Sequence, residues 1–280
     1  MAISLLTLFN ALSPKDRGSR LIARDVSYGP AARHKLDIYA PRKVDGPAPV
    51  VLFVYGGSWM DGDRRNYGFA GRALAALGYI TVVADYRLVP EIEYPGFLQD
   101  GAAAFGWLVE HVASYGGDAG RMALMGHSAG AYNALMLALD PSYLGQAGLL
   151  DRVRCVVGLS GPYDFFPFDG PISLRTFGAV QEPWTTQPIH HVTPASPPVL
   201  LGHGGRDRLV YPRNSVALAH RLRQAGVAVD EVHYPRLAHA EPLLALSRPA
   251  RGIAPVLVDV AAFLRRHLAS QPACSVASLG

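Results

Sequence analysis

The 280-residue sequence predicts an α/β fold with a mostly parallel central sheet and helices on both faces. The prediction rests on two observations: short, uniformly apolar runs, and helical hydrophobic patterns that lie between them. Such runs are typical of parallel strands buried on both faces, and the intervening helices indicate crossover connections. Ligands then bind beyond the carboxyl ends of the strands, so we expect the functional residues in those loops.

Five apolar runs are predicted strands, and in chain order they cover residues 50–55, 80–84, 122–125, 155–159 and 198–201. Residues 227–234 are the last strand-like segment. Helical spacing covers residues 97–112 and 257–268, and a helix-compatible run at 129–139 follows the third strand. Strand and helix therefore alternate, as a doubly wound sheet requires.

The N-terminal segment, residues 1–20, is predicted to contain a short amphipathic helix. Leu5, Leu8, Phe9 and Leu12 fall on one helical face, and Ser13-Pro14 ends the pattern. We expect this helix to pack on the body of the protein. A membrane-surface or substrate-gating role is the alternative, because amphipathic helices also lie in interfaces.

Residues 21–270 are predicted to form one α/β domain, followed by a polar C-terminal tail at 271–280. Within the domain, residues 162–197 lack periodicity and are too long for an ordinary connection. We interpret this segment as a lid over the sheet, with aromatic side chains that line an apolar substrate pocket. Ordinary loop packing is the alternative interpretation.

Composition excludes several classes of function. The net charge is +4, but the arginines are scattered without a basic block, so nucleic-acid binding is not expected. Cys155 and Cys274 form neither a disulfide framework nor a metal-ligand pattern, and we expect no metal and a reducing compartment. No apolar run is long enough for a membrane span, and the first residues lack a positively charged start. We therefore expect a cytoplasmic protein without stable membrane insertion. The sequence is compatible with a homodimer.

The motif that carries chemistry is Gly126-His127-Ser128-Ala129-Gly130, a GxSxG sequence between a predicted strand and a predicted helix. This context is typical of a nucleophile elbow, in which a sharp turn exposes the serine hydroxyl. The glycines would be needed because neighbouring chain segments approach closely. Ser128 is therefore the candidate nucleophile, and the Ala129 N–H at the helix start is a candidate oxyanion donor.

A serine needs a base, and the base needs an acid that fixes its tautomer. Among ten histidines, His239 lies in the loop that follows the last predicted strand. Asp207 follows the strand at 198–201 and gives the order Ser, Asp, His along the chain. Asp230 is the main rival for the acid, and Glu241 is too near His239 to reach around its ring.

A second set of oxyanion donors is expected after the first apolar strand. The sequence there is Val54-Tyr55-Gly56-Gly57-Ser58-Trp59, whose glycines let main-chain N–H groups turn toward the serine. Gly57 and Ser58 are the predicted donors, and a simple Gly-Gly turn is the alternative.

Four motifs in order resemble the α/β-hydrolase superfamily, over nearly the whole chain from Leu36 to the predicted C-terminal helix. Within it they look like the carboxylesterases related to hormone-sensitive lipase, and they are similar to feruloyl and acetyl esterases, arylformamidases and prenylcysteine methylesterases. The motifs are Tyr55-Gly56-Gly57-Ser58-Trp59, Asp85-Tyr86-Arg87-Leu88, Tyr115-Gly116-Gly117-Asp118 and Gly126-His127-Ser128-Ala129-Gly130.

The resemblance implies the α/β-hydrolase fold and acyl transfer to water through an acyl-serine intermediate, without a cofactor. It also implies that Ser128 is the nucleophile, His239 the general base and Asp207 its orienting acid. The family usually begins its oxyanion loop with histidine, whereas this chain has Tyr55. Asp85 and Arg87 are expected to form a structural ion pair.

The expected function is hydrolysis of small to medium carboxylic esters. Tyr55, Trp59, Phe166 and Trp184 are the expected substrate-binding residues. An arylformamidase or amidase is one alternative, since protonation of the leaving group by His239 serves either reaction. A non-catalytic binding protein on a hydrolase scaffold is the other.

Overall fold

The computed structural model describes residues 5–269. Two stretches of the expected architecture, residues 1–4 and the tail at 271–280 with Cys274, lie outside the described residues, as does residue 270. The strands are β1 (Ser19–Ser27), β2 (Lys35–Pro41), β3 (Ala48–Val54), β4 (Ile80–Ala84), β5 (Gly117–His127), β6 (Val153–Leu159), β7 (Val199–Gly204) and β8 (Val229–Tyr234). The helices are α1 (Leu5–Leu12), α2 (Gly68–Ala76), α3 (Gly96–His111), α4 (Ala129–Leu139), α5 (Pro141–Leu144), α6 (Pro171–Phe177), α7 (Arg213–Gln224), α8 (Glu241–Leu244) and α9 (Val256–Leu268).

The strands form one sheet in the order β1-β2-β4-β3-β5-β6-β7-β8. From β4 to β8 every neighbouring pair is parallel, and β2 runs antiparallel to both of its neighbours. The sequence-based prediction of a mostly parallel α/β sheet is therefore confirmed. All five predicted strands and the last strand-like segment are present as strands, although β5 and β7 extend beyond the apolar runs that predicted them.

The core lies between this sheet and the helices that cover it. The side chains of β4 and β6 are almost all buried, and α4 is buried along its whole length. Both α4 and α9 pack against β5 and β6. Strands covered on both faces need no polar alternation, which is why their sequences are continuously apolar.

Sequence analysis missed β1 and β2, the two strands at one edge of the sheet. β1 carries Arg20, Arg24 and Asp25 among its apolar residues, and its side chains are mostly exposed or half-buried. β2 contains a buried carboxylate, Asp37. Their mixed composition hides them from a search for uniformly apolar runs.

Residues 162–197 contain α6 and two short 3₁₀ helices, Pro183–Thr186 and Pro188–His191. The segment is anchored by Phe177, which is fully buried. The Phe177 ring meets Trp59 edge-on, with ring centres 4.9 Å apart, and lies 5.4 Å from Phe165. These aromatic contacts fix the segment over the carboxyl ends of the central strands.

The predicted N-terminal helix is present as α1, but its orientation differs from the expectation. Leu5, Leu8 and Leu12 are exposed, whereas Leu6 and Phe9 face the core. The three leucines that we expected to face the body of the protein therefore face outward, and only Phe9 of the predicted face turns inward. None of the helices described between residues 5 and 269 is both long enough and apolar enough to cross a bilayer.

Candidate active site

Ser128 lies at a sharp turn between β5 and α4. Its backbone has φ 56° and ψ −127°, a conformation that a residue with a side chain rarely adopts. The turn is crowded: a Cβ on Gly126 would lie 2.1 Å from the carbonyl oxygen of Gly130, and one on Gly130 would lie 2.1 Å from that of Val54. The glycines of the GxSxG motif are therefore required by backbone packing.

Three side chains from separate loops form one chain of hydrogen bonds. The Nε2 of His239 is 2.8 Å from Ser128 Oγ, and its Nδ1 is 2.7 Å from Asp207 Oδ2. Asp207 follows β7, and His239 follows β8. The Asp207 side chain is fully buried, whereas the His239 ring is 18% exposed. The structure thus brings together the three residues that the sequence predicts.

Asp207 is held by more donors than His239 alone. Its Oδ1 accepts hydrogen bonds from the backbone N–H groups of Leu209 and Val210, both at 2.9 Å. Burial acts to raise the pKa of this carboxyl, but its hydrogen bonds from His203, His239 and Val210 outweigh burial and lower it below its usual range. Asp207 is therefore a carboxylate at neutral pH, as an orienting acid must be.

His203 is a fully buried partner of Asp207 that sequence analysis did not single out. Its Nε2 lies 2.8 Å from the carbonyl oxygen of Val210 and 3.3 Å from Asp207 Oδ2. Both neighbours are acceptors, so Nε2 carries the proton, and Nδ1 accepts from the Ser215 hydroxyl at 2.7 Å. The sequence signal that could have identified His203 is its position just after the predicted strand at 198–201. His127 has the same kind of position after the predicted strand at 122–125.

His127, which precedes the candidate nucleophile, supports the His239 loop. Its Nε2 lies 2.9 Å from the backbone carbonyl oxygen of His239. Burial and the nearby His239 lower the pKa of His127 to about 3. His127 is therefore a neutral donor that ties the end of β5 to the loop after β8.

The loop after β3 has an unusual backbone. Gly57 has φ 140°, and the two residues that follow, Ser58 and Trp59, have φ 55° and 57°. Within residues 5–269 the N–H groups of Gly57, Ser58 and Ala129 donate to no protein acceptor. These are the three predicted oxyanion donors, and unsatisfied N–H groups beside a serine are the arrangement such a role requires.

Two cavities meet at Ser128. One, of about 280 Å³, is bounded by Trp59 and by residues of the 162–197 segment, including Phe165 and Ile172. The other, of about 610 Å³, is more polar and is bounded by the Gly57 loop, Asp61 and His239. α1 also contributes to its wall. Ser58 and Ser128 border both cavities, so a molecule at Ser128 can extend in two directions.

A model of the BD-FAE family matches residues 36–222, two thirds of the chain. The chain belongs to the BD-FAE family. The match runs from β2 to α7 and includes Ser128 and Asp207, whereas His239 lies beyond it.

Relatives of this family member include named esterases. It is 32% identical to "Probable carboxylic ester hydrolase LipM" of Mycobacterium tuberculosis, over 90% of this chain and 64% of that protein. It is 27% identical to the isoprenylcysteine alpha-carbonyl methylesterase ICME of Arabidopsis thaliana, over 84% of this chain and 60% of that protein. The chain therefore spans less than two thirds of the length of these relatives.

Solved structures confirm the α/β-hydrolase fold of this family member. A thermostable esterase from Pseudomonas putida ECU1011 superposes with a TM-score of 0.78 and is 24% identical. The superposition covers 95% of this chain and 89% of the esterase.

Tyr55 does not border either cavity at Ser128 in this BD-FAE protein, so its expected place in the pocket wall is wrong. Its ring is fully buried between Tyr67 and Tyr86, with ring centres about 5 Å away. The Tyr55 hydroxyl donates to Asp85 Oδ1 at 2.7 Å and accepts from Arg33 at 2.9 Å. Tyr55 therefore supports the Gly57 loop from below.

The predicted ion pair between Asp85 and Arg87 is also wrong. Asp85 pairs with Arg64, whose guanidinium also binds Asp37 and Asp25. Arg87 instead pairs with Asp100 at 2.6 Å. The two residues are near each other in sequence, but their side chains join different networks.

Two aromatic residues of the 162–197 segment that the sequence predicts in the pocket wall do not lie there. Phe166 and Trp184 are about half exposed and do not border either cavity at Ser128. Phe165, one position earlier, borders the smaller cavity and contacts Trp59. Trp59 lies where the sequence predicts, and its Nε1 donates to Asn133 at 3.0 Å.

Proposed function

We propose that this protein is a carboxylic ester hydrolase that acts through an acyl-serine intermediate. The observation that carries the proposal is the unbroken hydrogen-bond chain from Ser128 Oγ through His239 to Asp207, with spacings of 2.8 and 2.7 Å. It is accompanied by three unpaired N–H groups beside the serine within the described residues. The names of the relatives, a carboxylic ester hydrolase and an isoprenylcysteine methylesterase, point to the same reaction.

In the first half of the reaction, Ser128 Oγ attacks the carbonyl carbon of the ester while His239 Nε2 takes the hydroxyl proton. Asp207 stabilises the resulting imidazolium through its bond to Nδ1. The carbonyl oxygen becomes an oxyanion, which accepts hydrogen bonds from the N–H groups of Gly57, Ser58 and Ala129. When the tetrahedral intermediate collapses, the C–O bond to the alcohol breaks, and His239 gives the alcohol its proton.

In the second half, water replaces the alcohol. His239 removes a proton from the water as its oxygen attacks the acyl carbon, and the same N–H groups bind the second oxyanion. Collapse of this intermediate breaks the bond to Ser128 Oγ and returns the proton to it. The products are a carboxylic acid and the free enzyme, and no cofactor is required.

The two cavities suit the two parts of an ester. The smaller cavity, about 280 Å³ in volume, has an apolar wall that includes Trp59, Phe165 and Ile172, which suits an acyl chain of small to medium length. The larger cavity, at about 610 Å³, contains His239, which must protonate the leaving alcohol. We therefore assign the acyl group to the smaller cavity and the alcohol to the larger one.

The first test is hydrolysis of p-nitrophenyl esters from acetate to decanoate, beside N-formylkynurenine as a formamide. Ser128→Ala is the blank, and Ser142→Ala, an exposed serine at the start of α5, is the matched control. We expect fast turnover of the short esters by the native protein and the control. Ser128→Ala should retain only the low activity of the oxyanion site.

The other outcomes would change the conclusion. A preference for N-formylkynurenine over every ester would establish an arylformamidase, and equal activity in Ser128→Ala would exclude the acyl-serine route. A native protein no faster than its blank would indicate a binding protein on the hydrolase scaffold.

We also propose a cytoplasmic location and a small-molecule ester as the only partner required for activity. The basis for the location is the cysteine usage, because the two cysteines, Cys155 and Cys274, form no disulfide framework in the sequence. Cys155 is buried, which raises its pKa to about 12 and makes it an inert core side chain. A homodimer stays a proposal that light scattering after size-exclusion chromatography would test.

A further inference from the structure

The Gly57 loop, residues 55–62, closes back on itself. A Cβ on Gly57 would lie 2.0 Å from the carbonyl oxygen of Asp61, and the N–H of Asp61 donates to the carbonyl oxygen of Gly57 at 2.9 Å. Gly62 has φ 127°, and a Cβ on it would lie 2.4 Å from the Tyr55 ring. The last residue of the loop therefore packs on the side chain of the first, and a shift of Gly62 would be passed on to Gly57.

The backbone of this loop is strained, so its shape depends on contacts from outside. Residues 58–59 both lie in the left-handed region, which residues with a side chain rarely adopt. Such a conformation persists only where the surrounding structure holds it. The Tyr67 hydroxyl donates to the carbonyl oxygen of Gly56 at 3.1 Å, and the Tyr86 hydroxyl donates to that of Tyr55 at 3.0 Å. Both tyrosines hold the start of the loop.

The side chain of Arg33 bonds to both ends of the Gly57 loop. Its Nη2 donates to the Tyr55 hydroxyl at 2.9 Å and to the carbonyl oxygen of Gly62 at 2.7 Å. Its Nε donates to the carbonyl oxygen of Tyr86 at 2.8 Å. Because the guanidinium is planar and rigid, these three bonds fix where the two ends of the loop lie relative to each other.

The backbone that carries Arg33 is itself fixed on the sheet. Arg33 lies in the turn between β1 and β2, as does Tyr28, whose hydroxyl donates to the backbone carbonyl oxygen of Asp85 at 2.5 Å. The N–H of Asp85 donates to the carbonyl oxygen of Lys35 in β2 at 2.9 Å. The Tyr28 ring also stacks on His34, with ring centres 4.8 Å apart. Arg33 therefore reaches the loop from a rigid frame, and only 26% of its side chain is exposed.

The Tyr55 hydroxyl lies between the charge of Arg33 and a buried carboxylate. It donates to Asp85 Oδ1 at 2.7 Å, and this oxygen also accepts from the Arg64 N–H at 2.7 Å. Hydrogen bonds to a charged group are stronger than neutral ones, and both bonds of the Tyr55 hydroxyl are of this kind. Loss of Arg33 would therefore weaken the hold on Tyr55 as well as the hold on Gly62.

We propose that Arg33 is the positioning residue of the Gly57 loop. By holding the two ends of the loop together, it keeps the N–H groups of Gly57 and Ser58 aimed at the carbonyl oxygen that becomes the oxyanion. Arg33 acts through the loop and not on the substrate, because it borders neither cavity at Ser128. The inference rests on the proposed function, since it gives Arg33 a part in that reaction.

The experiment measures hydrolysis of p-nitrophenyl butyrate by the parent protein, Arg33→Gln and Arg33→Lys. Arg33→Gln should lower kcat roughly 10- to 100-fold with KM within about twofold, because outright removal of one oxyanion donor costs about 10²- to 10³-fold in kcat. Arg33→Lys keeps the charge and one donor nitrogen, so it should regain part of the rate. Arg24→Gln, which changes an exposed arginine of β1, is the matched control and should equal the parent.

Three further measurements separate positioning from a general loss of structure. Titration with a fluorophosphonate counts the molecules with a reactive Ser128, so kcat refers to working sites only. A trifluoromethyl ketone binds Ser128 Oγ and leaves an oxyanion like that of the intermediate, so its Ki should rise by the factor by which kcat/KM falls. The acid limb of the pH–rate profile should stay in place, because Arg33 bonds to the loop and not to His239.

Tyr55→Phe tests the same contact from its other partner. It removes the hydroxyl that accepts from Arg33 but leaves the bond to Gly62, so kcat should fall less than in Arg33→Gln. The double variant Arg33→Gln/Tyr55→Phe should lose no more than about twofold beyond Arg33→Gln, because both substitutions break one connection. If Arg33→Gln does not fold, Arg33→Lys replaces it in both comparisons.

Four results would overturn the proposal. They are an Arg33→Gln variant as fast as Arg24→Gln, a higher KM with kcat unchanged, a lower kcat with the ketone Ki unchanged, and single losses that multiply in the double variant. In each case, turnover by the parent that Ser128→Ala lacks would leave the proposed function standing. A parent no faster than Ser128→Ala would instead overturn both.

Discussion

The two sides of Ser128 are built differently. On one side, the side chains of His239, Asp207 and His203 all have hydrogen-bond partners, and Asp207 and His203 are fully buried. On the other side, the 162–197 segment and α1 that border the cavities also carry exposed apolar side chains, including Phe166, Trp184 and Leu5. The first side is organised to hold one geometry, and the second presents surface to something outside the protein.

The largest expected effect comes from a substitution of Asp207, the acid of the hydrogen-bonded side. Asp207→Asn should lower kcat about 10⁴-fold with little change in KM, because an amide can hold His239 in the wrong tautomer. The measurement is the steady-state rate with a p-nitrophenyl ester. Asp230→Asn is the control: Asp230 is the rival acid of the sequence analysis, but it is partly exposed and pairs with Arg266. A silent Asp207→Asn would remove Asp207 from the mechanism.

The next effect tests whether His203 positions Asp207. His203→Phe removes the donor that holds Asp207 in place, so the carboxylate should misalign with His239 Nδ1 and kcat should fall by roughly 10- to 100-fold. It should also move the acid limb of the pH–rate profile to higher pH, because a carboxylate with one donor fewer stabilises the His239 imidazolium more. His203→Gln, which keeps an N–H donor, should restore part of the rate. A lower rate with an unmoved profile would mean that His203 acts only in folding.

A smaller effect concerns stability rather than rate. His127 has a pKa of about 3 when folded, against about 6.5 when unfolded, so below pH 6.5 the unfolded chain binds the extra proton. The depressed pKa of His127 therefore lowers the free energy of unfolding by about 1.4 kcal/mol for each unit by which the pH falls between about 6 and 3. Above pH 6.5 it has no such effect.

Urea unfolding at pH 7, 5.5 and 4 measures this contribution. His127→Gln keeps a donor for the His239 carbonyl but does not titrate, so its stability should fall less steeply on the acid side. His220→Gln changes an exposed histidine and should keep the parent slope. Equal slopes in all three proteins would show that His127 titrates normally in the folded state.

The smallest expected effect concerns Phe165, which borders the smaller cavity, and its neighbour Phe166, which does not. Phe165→Ala should reduce the rate with longer acyl esters several-fold and shift the chain-length optimum, because its ring borders the smaller cavity. Phe166→Ala, its neighbour, should change the rate less than twofold at every chain length. Equal losses in the two variants would mean that the segment contributes through its fold and not through a pocket wall.

The same contrast explains what the sequence could predict. Ser128 and Asp207 each follow an apolar strand and His239 follows a strand-like segment, and that local signal was enough to place all three, while their catalytic roles stay predictions. Phe165 and Phe166 are alike in sequence, and which ring turns inward depends on Trp59 and Phe177, which lie far away in the chain. Tyr55 was misplaced for the same reason, because its partners Asp85 and Arg33 are brought to it only by the fold.

The backbone around the candidate nucleophile has an evolutionary consequence. Ser58, Trp59 and Ser128 all have φ between 55° and 57°, and each such residue costs roughly 1 kcal/mol or more relative to glycine. Glycine would remove this cost at Ser58 and Ser128, whereas at Trp59 it would also remove a buried ring that packs against Phe177. A descendant that lost its activity should therefore drift toward glycine at Ser58 and Ser128 before it does so at Trp59.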